Sequence, residues 1–535
     1  MTEVTSAEDS AELQALTVFE REIGATGVQT QRSLIRNQYF LKFIVGRDAP
    51  FYMHALRETQ RALSPENPFR GALGLHIQKA TRFPESIEAT SLLTLLTRST
   101  RPVAQDTSER GFSVPYVPFQ NREDHQLAQP ATHVVVGRRG VGKSTLIKRA
   151  VEILRTSPAI VAVLDVQAYS TLLGDDLARE VLHDIATILA EDARAVGTSI
   201  EGGLDTVGLQ SIATELSAGS LAAPAAVPRM KRELQALTKA TGNHVYVFLD
   251  DFHVLAPSEQ PKVLHLVHGA LKGANGWLKV AGLRTQLNYY LPRTRQGLQV
   301  PGDAQSISLD LTLENPENPE AAETDLRAIM EGFLRAVGYS VLEDVLPEAA
   351  FRRLVWANAG VPRDFLQMFA RAIEHARRNH HSLVTLSDVN VAIGESGQGK
   401  ANELSQDARN TEGELRKLLS ALESYCLDEN QINAFLVRSE ESQERKLVQA
   451  LSDLRLVHLI SQSTTPDKAG QRYEAFILDY SMFTGFRRRP NIKEMIPRQG
   501  QFKASELRKL PKVSSGFLAK WSLADTKREP GITVR

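Results

Sequence analysis

Val134-Val-Val-Gly-Arg-Arg-Gly-Val-Gly-Lys-Ser-Thr145 decides how this chain is read. A β-branched run, Val134 to Val136, enters Gly137-x-x-x-x-Gly142-Lys143-Ser144, and a helix-compatible stretch follows from Leu146 to Arg155. Strand, glycine-rich turn and helix in that order make a P-loop. Gly137, Gly140 and Gly142 let the backbone wrap closely round a phosphate, where a side chain would fill the anion's space. The helix start presents free N–H groups and a partial positive charge. In such a loop Lys143 reaches the β/γ-phosphates and the Ser144 hydroxyl sits on Mg²⁺, so ATP and Mg²⁺ are the expected ligands of Gly137 to Thr145.

A second hydrophobic run, Val245-Tyr-Val-Phe-Leu-Asp250-Asp251, closes on two acids about 107 residues after Lys143. Mg²⁺ beside Ser144 needs an outer-shell oxygen partner at the end of the neighbouring strand, and Asp250 is the candidate. Further strands are expected at Ile160 to Val166, Lys279 to Leu283 and Ser306 to Leu311. Helices at 175–191 and 230–240 alternate with them, which predicts an α/β fold with a doubly wound parallel sheet. The Gly-, Ala-, Ser- and Thr-rich stretch 196–226 reads as a loose insertion.

With both motifs the chain resembles the AAA+ and STAND branches of P-loop ATPases. Leu249-Asp250-Asp251 is similar to the Asp-Asp form of STAND signalling ATPases, and the resemblance implies that Asp251 polarises the attacking water. It places Arg284 and Thr285, after the next strand, where a sensor feels the γ-phosphate. Gly360-Val-Pro362 is similar to the STAND Gly-x-Pro, and Gly360-x-x-Arg363 to the sensor-2 arginine of origin-recognition AAA+ proteins. The Arg363 fork of donors keeps its charge at all working pH and can grip a phosphate. Arg122-Glu123 resembles the short box that precedes the P-loop near the adenine; Arg293 and Arg295 are the candidates for a finger acting in trans on a neighbouring subunit.

Residues 320–395 read as a helical lid, with Leu326, Ile329, Met330, Phe333 and Leu334 on one stripe and Phe365, Met368, Phe369 and Ile373 on another. His375, His380 and His381 lack carboxylate or cysteine support in ligand spacing and read as a solvated helix end. Helices at Glu412 to Tyr425, Glu429 to Leu436 and Glu441 to Leu454, then strands at Leu456 to Ser461 and Arg472 to Asp479, predict a winged helix. Phe486 to Arg535 carries 13 Lys/Arg against 4 Asp/Glu. Arg487, Arg488 and Arg489 open this basic tail and are its candidate DNA-phosphate contacts.

The chain of 535 residues exceeds one ordinary core. Its expected divisions are a mostly helical region with linker at 1–112, with one extended piece at Tyr39 to Val45, and an ATPase core at 113–312. A lid at 313–397, a winged helix at 405–485 and the tail at 486–535 follow. A formal charge of zero confines any nucleic-acid site to a local patch. One cysteine, Cys426, excludes an internal disulfide and a cysteine-based zinc site. With no apolar run of membrane length and an acidic, polar N-terminus, a cytoplasmic protein with no membrane partner is expected.

The resemblance implies an ATPase that couples nucleotide state to homo-oligomer assembly or to a DNA-associated partner supplying the effector activity. Mobile elements and phage defence are the family's common bacterial settings. The alternative is a STAND-type switch with slow turnover that acts through protein contacts. No nuclease, protease or transferase motif is present in the sequence.

Overall fold

The computed structural model describes residues 2–35, 38–79, 82–100, 112, 114, 116–119, 121–157, 159–197, 204–309, 321–407, 412–440, 442–464, 471–485, 489, 491–495, 502–513 and 516–517. The chain divides into two compact units, one of 103–105 with 118–310, the other of 1–102, 106–117 and 311–535.

In the first unit five parallel strands form one sheet: β1 (His133–Val136), β2 (Ile160–Asp165), β3 (Val245–Asp250), β4 (Gly276–Gly282) and β5 (Gln305–Ser308). Their order is β5-β1-β4-β3-β2. Successive side chains leave a strand on opposite faces, so a run that is apolar throughout needs cover on both. Val245, Val247 and Leu249 of β3 face helices Gly174–Gly197, Val207–Ser217, Ala223–Thr241 and Gln260–Leu271. Tyr246 and Phe248 face the helix that leaves the P-loop, Lys143–Leu154, and the short helix Glu123–Ala128. The doubly wound sheet is therefore present as its apolar runs require.

The stretch 196–226 corrects one expectation, since it contains the helix Val207–Ser217 and the start of Ala223–Thr241. Leu209, Ile212, Ala213 and Leu216 recur at i, i+3, i+4 and i+7 and are all buried. A helix built largely from small residues looks like a loop by composition and like a helix by period.

The second unit corrects the N-terminal reading. Beside helices Thr2–Ile23, Pro50–Ala62 and Ile87–Thr100 it holds a three-stranded sheet, 30–35, 38–45 and 73–77. The first two strands pair antiparallel and the last two parallel. The stacked rings of Phe19 and Phe43, centroids 4.1 Å apart, fasten helix to sheet. Helix Ile87–Thr100 packs on helix Pro362–Arg378, where the Arg377 guanidinium donates to the Pro84 carbonyl at 2.6 Å and to the Thr90 hydroxyl at 2.8 Å. N-terminal residues and the helices of 321–407 thus share one apolar core, which includes Leu326, Met330, Phe365, Phe369 and Ile373.

Of the three histidines, His380 is exposed and His381 partly so, as a solvated helix end requires, while His375 departs from that reading. His375 is buried with Nε2 3.0 Å from Glu395, His380 meets Glu85 at 2.8 Å and His381 meets Asp388 at 2.8 Å. Each takes its own carboxylate, and among the described residues no cluster of three or more His, Cys, Asp or Glu could hold a metal.

Toward the C-terminus, helix Glu412–Glu423 runs into a π-helical turn, Ser424–Glu429. The expected helix near Glu429 to Leu436 is instead a strand, Ala434–Arg438. Ala434 to Val437 are all buried, and a run buried on both faces suits a central strand better than a surface helix. Helix Gln443–Asp453 and the hairpin Val457–Thr464 with Tyr473–Leu478 follow. Lys512–Val513 adds a parallel edge to the strand 434–438, so part of the basic segment docks on this sheet. No helix among the described residues is long and apolar enough to cross a membrane.

Candidate nucleotide site

β1 delivers the P-loop at the C-terminal edge of the sheet. Gly140 and Gly142 adopt φ of 80° and 102°, a left-handed backbone that glycine takes without the steric cost of a side chain. A Cβ on Gly142 would stand 3.5 Å from the Phe119 ring, which places the segment before the Arg122-Glu123 box against the loop. Lys143 is buried, and its ammonium donates to the carbonyls of Gly137 at 2.9 Å and Arg138 at 3.1 Å. The helix from Lys143 to Leu154 has no side-chain cap, so its first N–H groups face the loop.

Asp250 stands at the end of β3. That strand is expected beside β1 from sequence, and the structure corrects this, because β4 runs between them and pairs with both. Sheet order decides strand adjacency, and a motif cannot report it. The acid nevertheless comes near the loop, close enough for the Ser144 hydroxyl and Lys143 to favour its charged form. Burial and the Asp251 charge push Asp250 above its ordinary value, against the Ser144 hydroxyl, the Asp251 N–H at 2.9 Å and Lys143. A hydroxyl and a strained carboxylate side by side are hard oxygen donors suited to a small divalent cation that takes its other ligands from water and phosphate.

Asp251 lies in the left-handed region at φ 50°, at the start of the short 3₁₀ turn Phe252–Val254. Its side chain is 40% exposed. His253, two residues on, was not singled out by sequence. Its side chain is only 6% exposed, and Nδ1 lies 3.9 Å from Asp251 Oδ1. Burial, then the charges of Lys143 and Arg139, lower His253 to about 3, so the ring stays neutral beside the phosphate loop. A polar residue set between Phe252 and Val254 in an otherwise apolar turn was the available signal.

β4 ends between the P-loop strand and the Asp250 strand, so Arg284 and Thr285, in the turn Arg284–Gln286, follow its end at that gap. Both are exposed, and Arg284 Nη2 donates to Ser308 Oγ at 2.6 Å. Arg122, at φ 55°, precedes the helix Glu123–Ala128 and contacts His125 at 2.5 Å. Glu123 is buried, with Oε1 accepting from Asn121 at 3.1 Å and Oε2 unbonded among the described residues. Arg293 and Arg295 are exposed at the tip of the hairpin formed by Tyr290–Leu291 and Gln296–Gly297.

Arg363 belongs to the other unit, in the first turn of helix Pro362–Arg378, three residues after Gly360; Ala359 and Gly360 take φ of 51° and 80°. A cation there opposes the helix dipole. Of the basic trio, Arg489 pairs with Asp428, while Arg487 and Arg488 lie outside the described residues.

Residues 123–273, which hold the P-loop and the acid-closed strand, match the family model for the AAA ATPase domain. No curated protein matches the chain. Similar solved structures include the Aeropyrum pernix ORC2 protein in ADPNP–ADP complexes, at 14% identity and TM-score 0.38 over 79% of this chain and 99% of that one. The Aeropyrum pernix ORC1 protein in complex with DNA is 14% identical, TM-score 0.33, over 68% and 91%. RuvB of Thermotoga maritima is 13% identical, TM-score 0.29, over 62% and 84%.

Proposed function

We propose that the protein binds Mg²⁺·ATP at Gly137 to Thr145 and hydrolyses it, and that the nucleotide state governs assembly of copies of the chain or their engagement of a DNA-associated partner. The observation that carries this reading is the buried Lys143, whose ammonium lies within the glycine loop, with Asp250 at the end of β3 near enough to feel Lys143 and the Ser144 hydroxyl. Ser144 and Asp250 would hold Mg²⁺, which when bound neutralises charge on the β- and γ-phosphates. Lys143 exchanges its loop carbonyls for phosphate oxygens. Asp251 orients the attacking water, and Arg284 or Thr285 senses the γ-phosphate. Arg363 would report closure of its unit, and Arg293 or Arg295 would serve a neighbouring copy.

Duplex DNA is the proposed partner of the C-terminal helix–strand–helix–hairpin, read as a winged helix, together with the tail that carries 13 Lys/Arg against 4 Asp/Glu. A second reading, a switch acting through protein contacts, is favoured by one observation. The strand Ala434–Arg438 stands where a helix-turn-helix pair needs its first helix.

Lys143→Ala should weaken ATP binding at least tenfold and abolish phosphate release, and equal affinity and turnover in variant and parent would refute the site. Mobility shifts of the full-length protein on duplex DNA, at two salt concentrations with and without ATP, separate the two readings. Binding that strengthens with ATP and falls steeply with salt supports the DNA role. No shift at low salt with ATP present moves the choice to the switch.

A further inference from the structure

His253 is the buried polar group of the nucleotide site that the mechanism leaves unused. Its Nδ1 has no hydrogen-bond partner among the described residues. An orphaned buried nitrogen costs stability, and in a functional site it marks a bond made in another state of the molecule. Two groups bound the options. Lys143 and Arg139 bear on the ring through their charges, and as donors they can serve only a ring nitrogen that carries no proton. On the other side Asp251 Oδ1 stands 3.9 Å away, beyond hydrogen-bond range but within a side-chain rotation of it.

Asp251 is fixed at its backbone and loose at its carboxylate. Its N–H donates to Asp250 at 2.9 Å, while the side chain stays 40% exposed. A water-orienting carboxylate must point one way at the moment of attack, and freedom to rotate lowers the fraction of time it does so.

We infer that His253 is a positioning residue for ATP hydrolysis, whose Nδ1–H donates to Asp251 and locks that carboxylate toward the attacking water. The neutral ring suits this task. It donates one hydrogen bond without the full charge that would pair with Asp251 and quench it as an acceptor for water. The assignment rests on the ATPase reading above and deepens it at one named atom.

The atom makes the test specific. The amide nitrogen of asparagine can take the place of Nδ1, whereas that of glutamine reaches the place of Nε2. Turnover of Mg²⁺·ATP and ATP affinity are measured on the full-length parent, His253→Ala, His253→Asn and His253→Gln. His253→Ala should lower kcat about tenfold, the scale of one hydrogen bond, with KM and ATP affinity within about twofold of the parent. His253→Asn should recover most of the loss and His253→Gln little of it.

Unchanged turnover in His253→Ala overturns the inference and leaves the ATPase reading standing. Equal losses of ATP affinity and turnover would show a merely structural residue, and rescue by glutamine at least as good as by asparagine would refute the Nδ1 assignment. If the alanine variant fails to fold, the comparison of asparagine with glutamine decides alone. A parent that binds ATP and never cleaves it overturns both the ATPase reading and this inference.

Discussion

Asp250 and Asp479 each close a β-strand, one in each compact unit, and their surroundings move them in opposite directions. Asp250 is pushed up by burial and by Asp251. At Asp479 burial acts the same way, but Lys400 and His458 overcome it and hold the carboxyl far below the usual carboxylate range. Asp479 sits in a closed network. Lys400 Nζ lies at 2.5 Å, His458 Nε2 at 2.8 Å, and the Ser481 hydroxyl and N–H donate to its other oxygen. Lys400 also stands 3.9 Å from Asp364, which pairs with the buried Arg455. These five charged residues join the helices of 362–407 to the C-terminal sheet.

The difference separates two uses of buried charge. Opposite charges brought together in the core pin two elements to one another, and a carboxylate left short of positive charge waits for a cation. The same substitution should therefore have opposite signs at the two positions. Asp479→Asn strands Lys400 and His458 in the core and should destabilise that unit by about 3–5 kcal/mol. Denaturant titration checks it, and a loss below about 1 kcal/mol would show that the network is dispensable. Because the folded value of Asp479 is depressed, its contribution is complete above the unfolded value near 3.9. It is lost as pH falls from there through the folded value.

Lys279 sharpens the comparison, being a buried charge with acceptors but no acid among the described residues. Its ammonium donates to the carbonyls of Gln129 at 2.7 Å and Ala131 at 2.6 Å, and meets His133 Nδ1 at 2.9 Å. Burial lowers it to about 6, so the unfolded chain binds more protons than the folded one between about 6 and the ordinary lysine value near 10.4. Stability should then climb with pH across that window, by at most about 1.4 kcal/mol per pH unit. Melts from pH 6 to 9 should show the slope in the parent and its loss in Lys279→Met. Equal slopes would mean that the three acceptors keep the ammonium protonated in the fold.

The smallest effect belongs to Asp250→Asn. Removing a poorly compensated charge should stabilise the nucleotide-free protein by roughly 1 kcal/mol, the usual scale of a gain made at the expense of a functional site. The same variant should lose the Mg²⁺-dependent part of ATP affinity. A fall in stability would show that Asp250 is already satisfied by Ser144 and Lys143, and would place it with Asp479.

The P-loop, the acid-closed strand and the alternation of strands and helices were legible because each is a local pattern. A phosphate cradle needs glycines within a few residues, and a strand covered on both faces needs consecutive apolar side chains. Where composition and period disagreed, as at Val207–Ser217, period carried the right answer. The buried strand Ala434–Arg438 reads as a helix in sequence because a short apolar run has no period of its own. Of the N-terminal sheet only the strand holding Tyr39 to Val45 is expected, since 30–35 and 73–77 are partly exposed and lack a clear apolar signal. Only the tertiary structure could decide which strand separates Ser144 from Asp250, or that His253 Nδ1 has no hydrogen-bond partner among the described residues. It alone could show that Asp364, Lys400, Arg455, His458 and Asp479 meet. Such facts depend on contacts between residues distant in the chain, and those are settled by packing and sheet order, which no local stretch of sequence encodes.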